Sequence, residues 1–103
     1  MTKDNSFRDY IVHDVLRDIP GVTTRNMFGG CGIYKNGKMF GIIEDGEVYF
    51  KIGDRNRKDF ENMNSHPFTY EREGKEVSLS YWLVPEEFLE DKYKIRELVE
   101  KSS

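Results

Sequence analysis

The side chains able to do chemistry in this chain are few and scattered. One thiol, Cys31, lies in Phe28-Gly29-Gly30-Cys31-Gly32, and two imidazoles, His13 and His66, lie far from it in sequence. A catalytic thiol needs a base or a helix N-terminus to form thiolate. No spacing here brings either histidine to Cys31, so a small buried strand residue is the expectation. One cysteine and two unspaced histidines do not make a metal set either. Carboxylates are many, but Glu86, Glu87, Glu90 and Asp91 read as a solvated helix face, and no pair stands out for acid–base work. Catalytic residues, a metal and a cofactor are therefore not expected.

The glycine-rich stretch resembles a phosphate loop only in composition. Such loops follow a strand and open a helix, so that helix N–H groups meet the phosphate. Here a helix and a connector precede, and a strand follows. Binding is a better prospect than catalysis. Arg25 sits just before the glycines, Lys51 near the end of a strand, and Tyr49 shares the face of Lys51. Together they are a candidate recess for a small anion, although surface ion pairs explain the two cations as well. Asp54-Arg55-Asn56-Arg57-Lys58 is a basic cluster that reads as the outer face of a short helix, or as a weaker nucleic-acid contact. Trp82, with Ser78 and Ser80, occupies one face of a strand. A bare face would make Trp82 and nearby Tyr70 aromatic anchors for a partner. A face covered by helices would make Trp82 core.

The elements that must position these residues are well signalled. Asn36-Gly37 and Asp45-Gly46 favour type I′ hairpin turns. They divide the middle of the chain into strands over about 30–35, 38–44 and 47–52. In the third, Val48, Phe50 and Ile52 share one face and Glu47, Tyr49 and Lys51 the other, the mark of a half-buried antiparallel strand. Before them, Asn5 or Ser6 caps a helix whose stripe is Phe7, Ile11, Val15 and Leu16, and Pro20-Gly21 ends it. Residues 22–29 read as a connector. After them, Asp54 caps a short helix to about residue 63, and strands follow over 68–72 and 76–83 around Glu73-Gly74. Pro85 opens a last helix, restarted at Asp91, with Ile95, Leu98 and Val99 inward. The expected fold is α+β: two layers, a five-stranded, mainly antiparallel sheet with helices packed on it, in the order αβββαββα with the last helix split. Residues 1–103 are expected to form a single domain.

Composition narrows the partners. Aromatics reach 14% and charged residues 34%, so a thin, ring-rich core lies under a dense charged surface. The net charge is −3, from 16 basic and 19 acidic residues. No segment carries a basic excess, which makes direct nucleic-acid binding an unfavoured reading. A single cysteine, a polar start without an apolar leader and the lack of a long apolar run suggest a cytoplasmic, non-membrane protein.

As a set, the blocks resemble a known family. Arg25-Asn26-Met27-Phe28-Gly29-Gly30-Cys31-Gly32-Ile33-Tyr34 is similar to the opening of the TfoX/Sxy N-terminal domain. Gly37-Lys38-Met39-Phe40-Gly41 and Asp45-Gly46-Glu47-Val48-Tyr49-Phe50-Lys51 resemble its next strands. Asn56-Arg57-Lys58-Asp59-Phe60, Pro67-Phe68-Thr69-Tyr70, Val77-Ser78-Leu79-Ser80-Tyr81-Trp82 and Pro85-Glu86-Glu87 complete the series, which runs from about Phe7 to Lys101. The resemblance implies a two-layer α+β domain and a regulator of natural competence and transcription rather than an enzyme. It carries over no catalytic residue. Members of that kind also have a C-terminal helical domain, and the expectation here is the N-terminal module alone. The leading expectation is an interaction module with a protein partner, and a homodimer is a further candidate. The alternative is a small-anion sensor using Arg25 and Lys51.

Overall fold

The computed structural model describes residues 6–27 and 30–102. A short helix, α1 (Ser6–Tyr10), continues into a wider π-helical turn over Ile11–Val15. Leu16 N–H donates to the Ile11 carbonyl at 2.9 Å, a five-residue step. The wider turn lets Ile11, Val15 and Leu16 all be buried. A regular helix was expected here. Of its two candidate caps, Ser6 is the first helical residue and Asn5 lies outside the described residues.

Six strands follow in one antiparallel sheet: β1 (Val22–Met27), β2 (Gly30–Lys35), β3 (Lys38–Glu44), β4 (Glu47–Lys51), β5 (Pro67–Arg72) and β6 (Lys75–Leu83). Their spatial order is β1-β2-β3-β4-β6-β5. The α+β class and the antiparallel meander stand as expected. The strand count of five does not, because the connector over 22–29 contains β1, which pairs with β2 from Val22 opposite Lys35 to Met27 opposite Gly30. Its four central residues, Thr23 to Asn26, are exposed. An edge strand with little to bury shows no apolar alternation, so the pattern that marks the other strands is missing.

The turns behave as their residues require. Asn36 and Gly37 have φ of 51° and 84°, and Asp45 and Gly46 of 51° and 74°. Glu73-Gly74 adopts the same pair, at 53° and 78°. Gly30 serves a different need: a Cβ there would run into the Ile43 carbonyl oxygen on β3.

Helix α2 (Arg57–Asn62), a 3₁₀ turn (Glu86–Phe88) and α3 (Lys92–Ser102) complete the chain. The core is filled by Ile11, Leu16, Ile33, Phe40, Val48, Phe50, Phe60, Ile95, Leu98 and Val99, among others. Cys31 is buried in this same cluster. Phe40 and Phe50 meet at 5.6 Å between ring centroids. Cross-strand pairing places Cys31 opposite Ile43, and Ile43 opposite Val48, so the cluster lies on one face of the sheet, under the helices. Asp91 caps α3 as expected, its Oδ1 accepting Lys94 N–H at 3.0 Å. No described helix is long and apolar enough to cross a membrane.

Candidate functional site

Among the described residues, no helix covers the second face of the sheet. Alternation along β4 sends Val48 and Phe50 into the core and Tyr49 and Lys51 to the opposite side. The register then fixes the rest of that side. Arg25, Gly32, Ile42, Tyr49 and Leu83 form one row from β1 to β6. Thr23 opposite Tyr34, and Lys51 opposite Tyr81, belong to the next row. Met27, Tyr34 and Met39 side chains surround the space above Gly32, which places them on the same side.

Tyr49 on β4 and Phe68 on β5 meet edge to face with centroids 5.1 Å apart. Their strands have β6 between them, about 10 Å apart at the usual spacing, so the two rings lean toward each other over β6. Phe68 in turn contacts Tyr70, with centroids 6.4 Å apart. Ile42 and Tyr49 are consequently buried although no helix covers them, whereas Tyr34, Met39, Phe68, Tyr81 and Leu83 are half-buried and Tyr70 is exposed.

Burial and the Glu47 carboxylate shape Tyr49. Its hydroxyl donates to Glu47 Oε1 at 3.0 Å. Burial first, and then this hydrogen bond and the surrounding carboxylates, push its pKa up to about 12. The Tyr81 hydroxyl is also pushed above its ordinary value, by burial and then by Tyr34. Tyr34 and Tyr81 both lie on this face of the sheet.

Cations and carboxylates are segregated on this face. Arg25 lies over the Tyr34 ring, 5.5 Å from its centroid. Lys51 ends β4, the fourth of the six strands in spatial order, and lies opposite Tyr81. Arg72 and Lys75 pair across the mouth of the β5–β6 hairpin and share the side of Tyr70 and Val77. Among the described residues none of these four cations takes part in an ion pair. The carboxylates Glu44 and Glu47 pair with each other at the opposite end of β3 and β4. Other lysines are bound up in the helical layer, where Lys101 Nζ lies 2.9 Å from Asp59 Oδ2 and Lys94 Nζ 3.9 Å from Asp59 Oδ1.

The sequence candidates fall as follows. Arg25, Lys51 and Tyr49 do share one face, but they do not converge. Three strand spacings separate β1 from β4, about 14 Å, and the Tyr49 hydroxyl is committed to a carboxylate. Trp82 and Tyr70 lie on opposite faces and make no common patch. Trp82 is opposite Phe50, packs against the helix-side core, and has the Arg57 guanidinium 5.8 Å over its ring. Arg57 thus serves Trp82, and its basic cluster belongs to the helical layer. A cleft of about 220 Å³ lies elsewhere, lined by Asp18, Lys35, Arg96 and Glu100 with apolar neighbours, and its charges are mixed. Among the described residues, no three His, Cys, Asp or Glu side chains gather as a metal set.

One residue escapes sequence reading altogether. Asn56 precedes α2, where a cap is expected, yet its side chain turns inward and is fully buried. Asn56 Oδ1 accepts Gly53 N–H at 2.7 Å, and Nδ2 donates to the Lys51 carbonyl at 2.9 Å and to Ser102 Oγ at 3.0 Å. Ser102 Oγ donates to the Leu98 carbonyl at 2.7 Å. This network fastens the end of α3 to the end of β4, directly behind Lys51. Asp54, the expected cap, is exposed.

The described helices thus lie on one side of the sheet, and a ring-rich face that none of them covers lies on the other. The TfoX N-terminal domain profile matches residues 14–103, and the chain belongs to that family. It is also 30% identical, over 64 residues, to the DNA transformation protein TfoX1 of Aliivibrio fischeri (strain ATCC 700601 / ES114). That match covers 62% of this chain and 31% of the relative, so the chain spans about a third of the curated protein it matches.

Proposed function

We propose that this chain is a non-enzymatic interaction module acting in regulation of the competence type, with the helix-free face of its sheet as the working surface and a protein as its partner. The observation that carries this reading is the one-sided distribution of the helices. Strands β2, β3, β5 and β6 present Tyr34, Met39, Ile42, Phe68, Tyr70, Tyr81 and Leu83 on a side that no described helix covers. An apolar, aromatic surface of this extent on a small chain marks a contact site. Membership of the TfoX N-terminal family supports a regulatory role, and the name of the Aliivibrio relative, a DNA transformation protein, supports a link to that process.

A comparative pull-down tests the reading. The tagged chain and a Met39→Glu, Tyr70→Glu variant are used on the same lysate, both checked for folding by circular dichroism. Both substitutions lie on the bare face, at part-exposed or exposed positions. A partner retained by the parent chain and lost by the variant is the expected result. The same partner recovered equally by both would refute it.

A further inference from the structure

We propose that the helix-free face of the sheet takes an acidic segment of a partner polypeptide, one that carries carboxylates among apolar side chains. This inference rests on the reading of that face as the working surface and names the chemistry of what it holds. Four cations, Arg25, Lys51, Arg72 and Lys75, are spread across the face, and among the described residues none is ion-paired. The carboxylates of Glu44, Asp45 and Glu47 act on Tyr49 from one end of this face, at the end of β3 and the start of β4. The face is thus a cationic surface in a chain of net charge −3. Between the cations lie Ile42, Tyr81, Leu83, Phe68 and Tyr70, which offer apolar area rather than further charge. Carboxylates of an extended segment would meet Lys51 at the end of β4 and Arg72 and Lys75 at the hairpin. Its apolar side chains would lie along the rows between.

Two other occupants fit less well. A second copy of this face would bring four cations against four, and an isologous contact must be self-complementary. Single-stranded nucleic acid needs free ring faces for base stacking. Here the Tyr34 ring is covered by the Arg25 guanidinium, Tyr49 is buried, and Phe68 meets Tyr49 edge to face. An acidic polypeptide needs cations and apolar area, and no open ring face.

Fluorescence anisotropy with the full chain tests this. The probes are a short fluorescein-labelled peptide of Glu, Leu and Ser, the same peptide with Lys for every Glu, and an oligothymidylate of similar length. The first should bind and the second should not. Lys51→Glu combined with Arg72→Glu should weaken the first at least about tenfold. Arg55→Glu combined with Lys58→Glu, an equal charge change beside the helical layer, should leave it within about twofold. Thermal melts of both variants establish that they are folded. Equal binding of the Lys peptide, equal weakening by the two variants, or absence of saturable binding overturns the proposal. Tighter binding of the oligothymidylate, lost with Lys51 and Arg72, overturns the partner class but leaves the face as the working surface. Absence of binding to every probe, together with a pull-down partner indifferent to the face variant, removes both.

Discussion

Tyr49 shows how one residue is set by its neighbours on the bare face. Its ring is covered by Phe68 and its hydroxyl is held by Glu47, so the phenolate is disfavoured and the pKa stands at about 12. An ordinary tyrosine titrates near 10. The folded pKa is raised, so folding favours the protonated form. The associated stability is fully present below pH 10 and is lost as pH rises from about 10 to 12. The size of this contribution is at most ~2–3 kcal/mol. Chemical denaturation at a series of pH values should show stability falling across that window. Tyr49→Phe should reduce the fall while costing about 1 kcal/mol or less at neutral pH. A variant curve parallel to that of the parent chain would contradict the assignment. In ultraviolet titration of the phenolates, one of the six tyrosines should be seen to titrate late.

At the scale of elements, the joint between β4, α2 and α3 depends on Asn56. Its three hydrogen bonds reach the Lys51 carbonyl, the Gly53 amide and Ser102 Oγ, and the whole side chain is buried. Asn56→Ala would remove the buried hydrogen bond to Ser102 and the part-buried ones to the Gly53 amide and the Lys51 carbonyl, at a cost of about 2–3 kcal/mol. Urea denaturation should register that loss, whereas Asp54→Ala, at an exposed neighbour, should change stability by about 0.5 kcal/mol or less. Equal effects at the two positions would show that the network carries no weight. This joint was not legible in the sequence. An asparagine before a helix is a common cap, and an inward turn toward a serine 46 positions away leaves no local signal. The hairpins were legible, because Asn-Gly and Asp-Gly turns and period-two alternation are local features. So was the restart of α3, which needs only Asp91 and the stripe of Ile95, Leu98 and Val99. Strand β1 was missed for the opposite reason: its pairing with β2 is local, but an exposed edge has no apolar pattern to read. The candidate site was legible in part. Arg25, Tyr49 and Lys51 do share a face, but their separation depends on strand order. Trp82 and Tyr70, close in sequence and both aromatic, were divided between two faces by pairing that sequence alone does not specify.

For the whole molecule, the decisive property is sidedness. Every described helix packs on one side of the sheet and shares one core with it, while the other side keeps a layer of rings and four unpaired cations. Bulk charge conceals this arrangement, because a chain of net charge −3 gives no hint that four of its 16 basic residues share one face of the sheet without an ion pair among the described residues. Tyr70 and Tyr93 make a matched pair for testing it. Tyr70 is exposed on the bare face, and Tyr93 is 88% exposed on α3. Both can be replaced by a photoreactive phenylalanine analogue without disturbing the core, and the two proteins can be irradiated in the cells that produce the chain. A protein adduct formed from position 70 and absent from position 93 is the result that sidedness predicts. An adduct formed from position 93 and absent from position 70 would place the working surface on the helices and contradict the account.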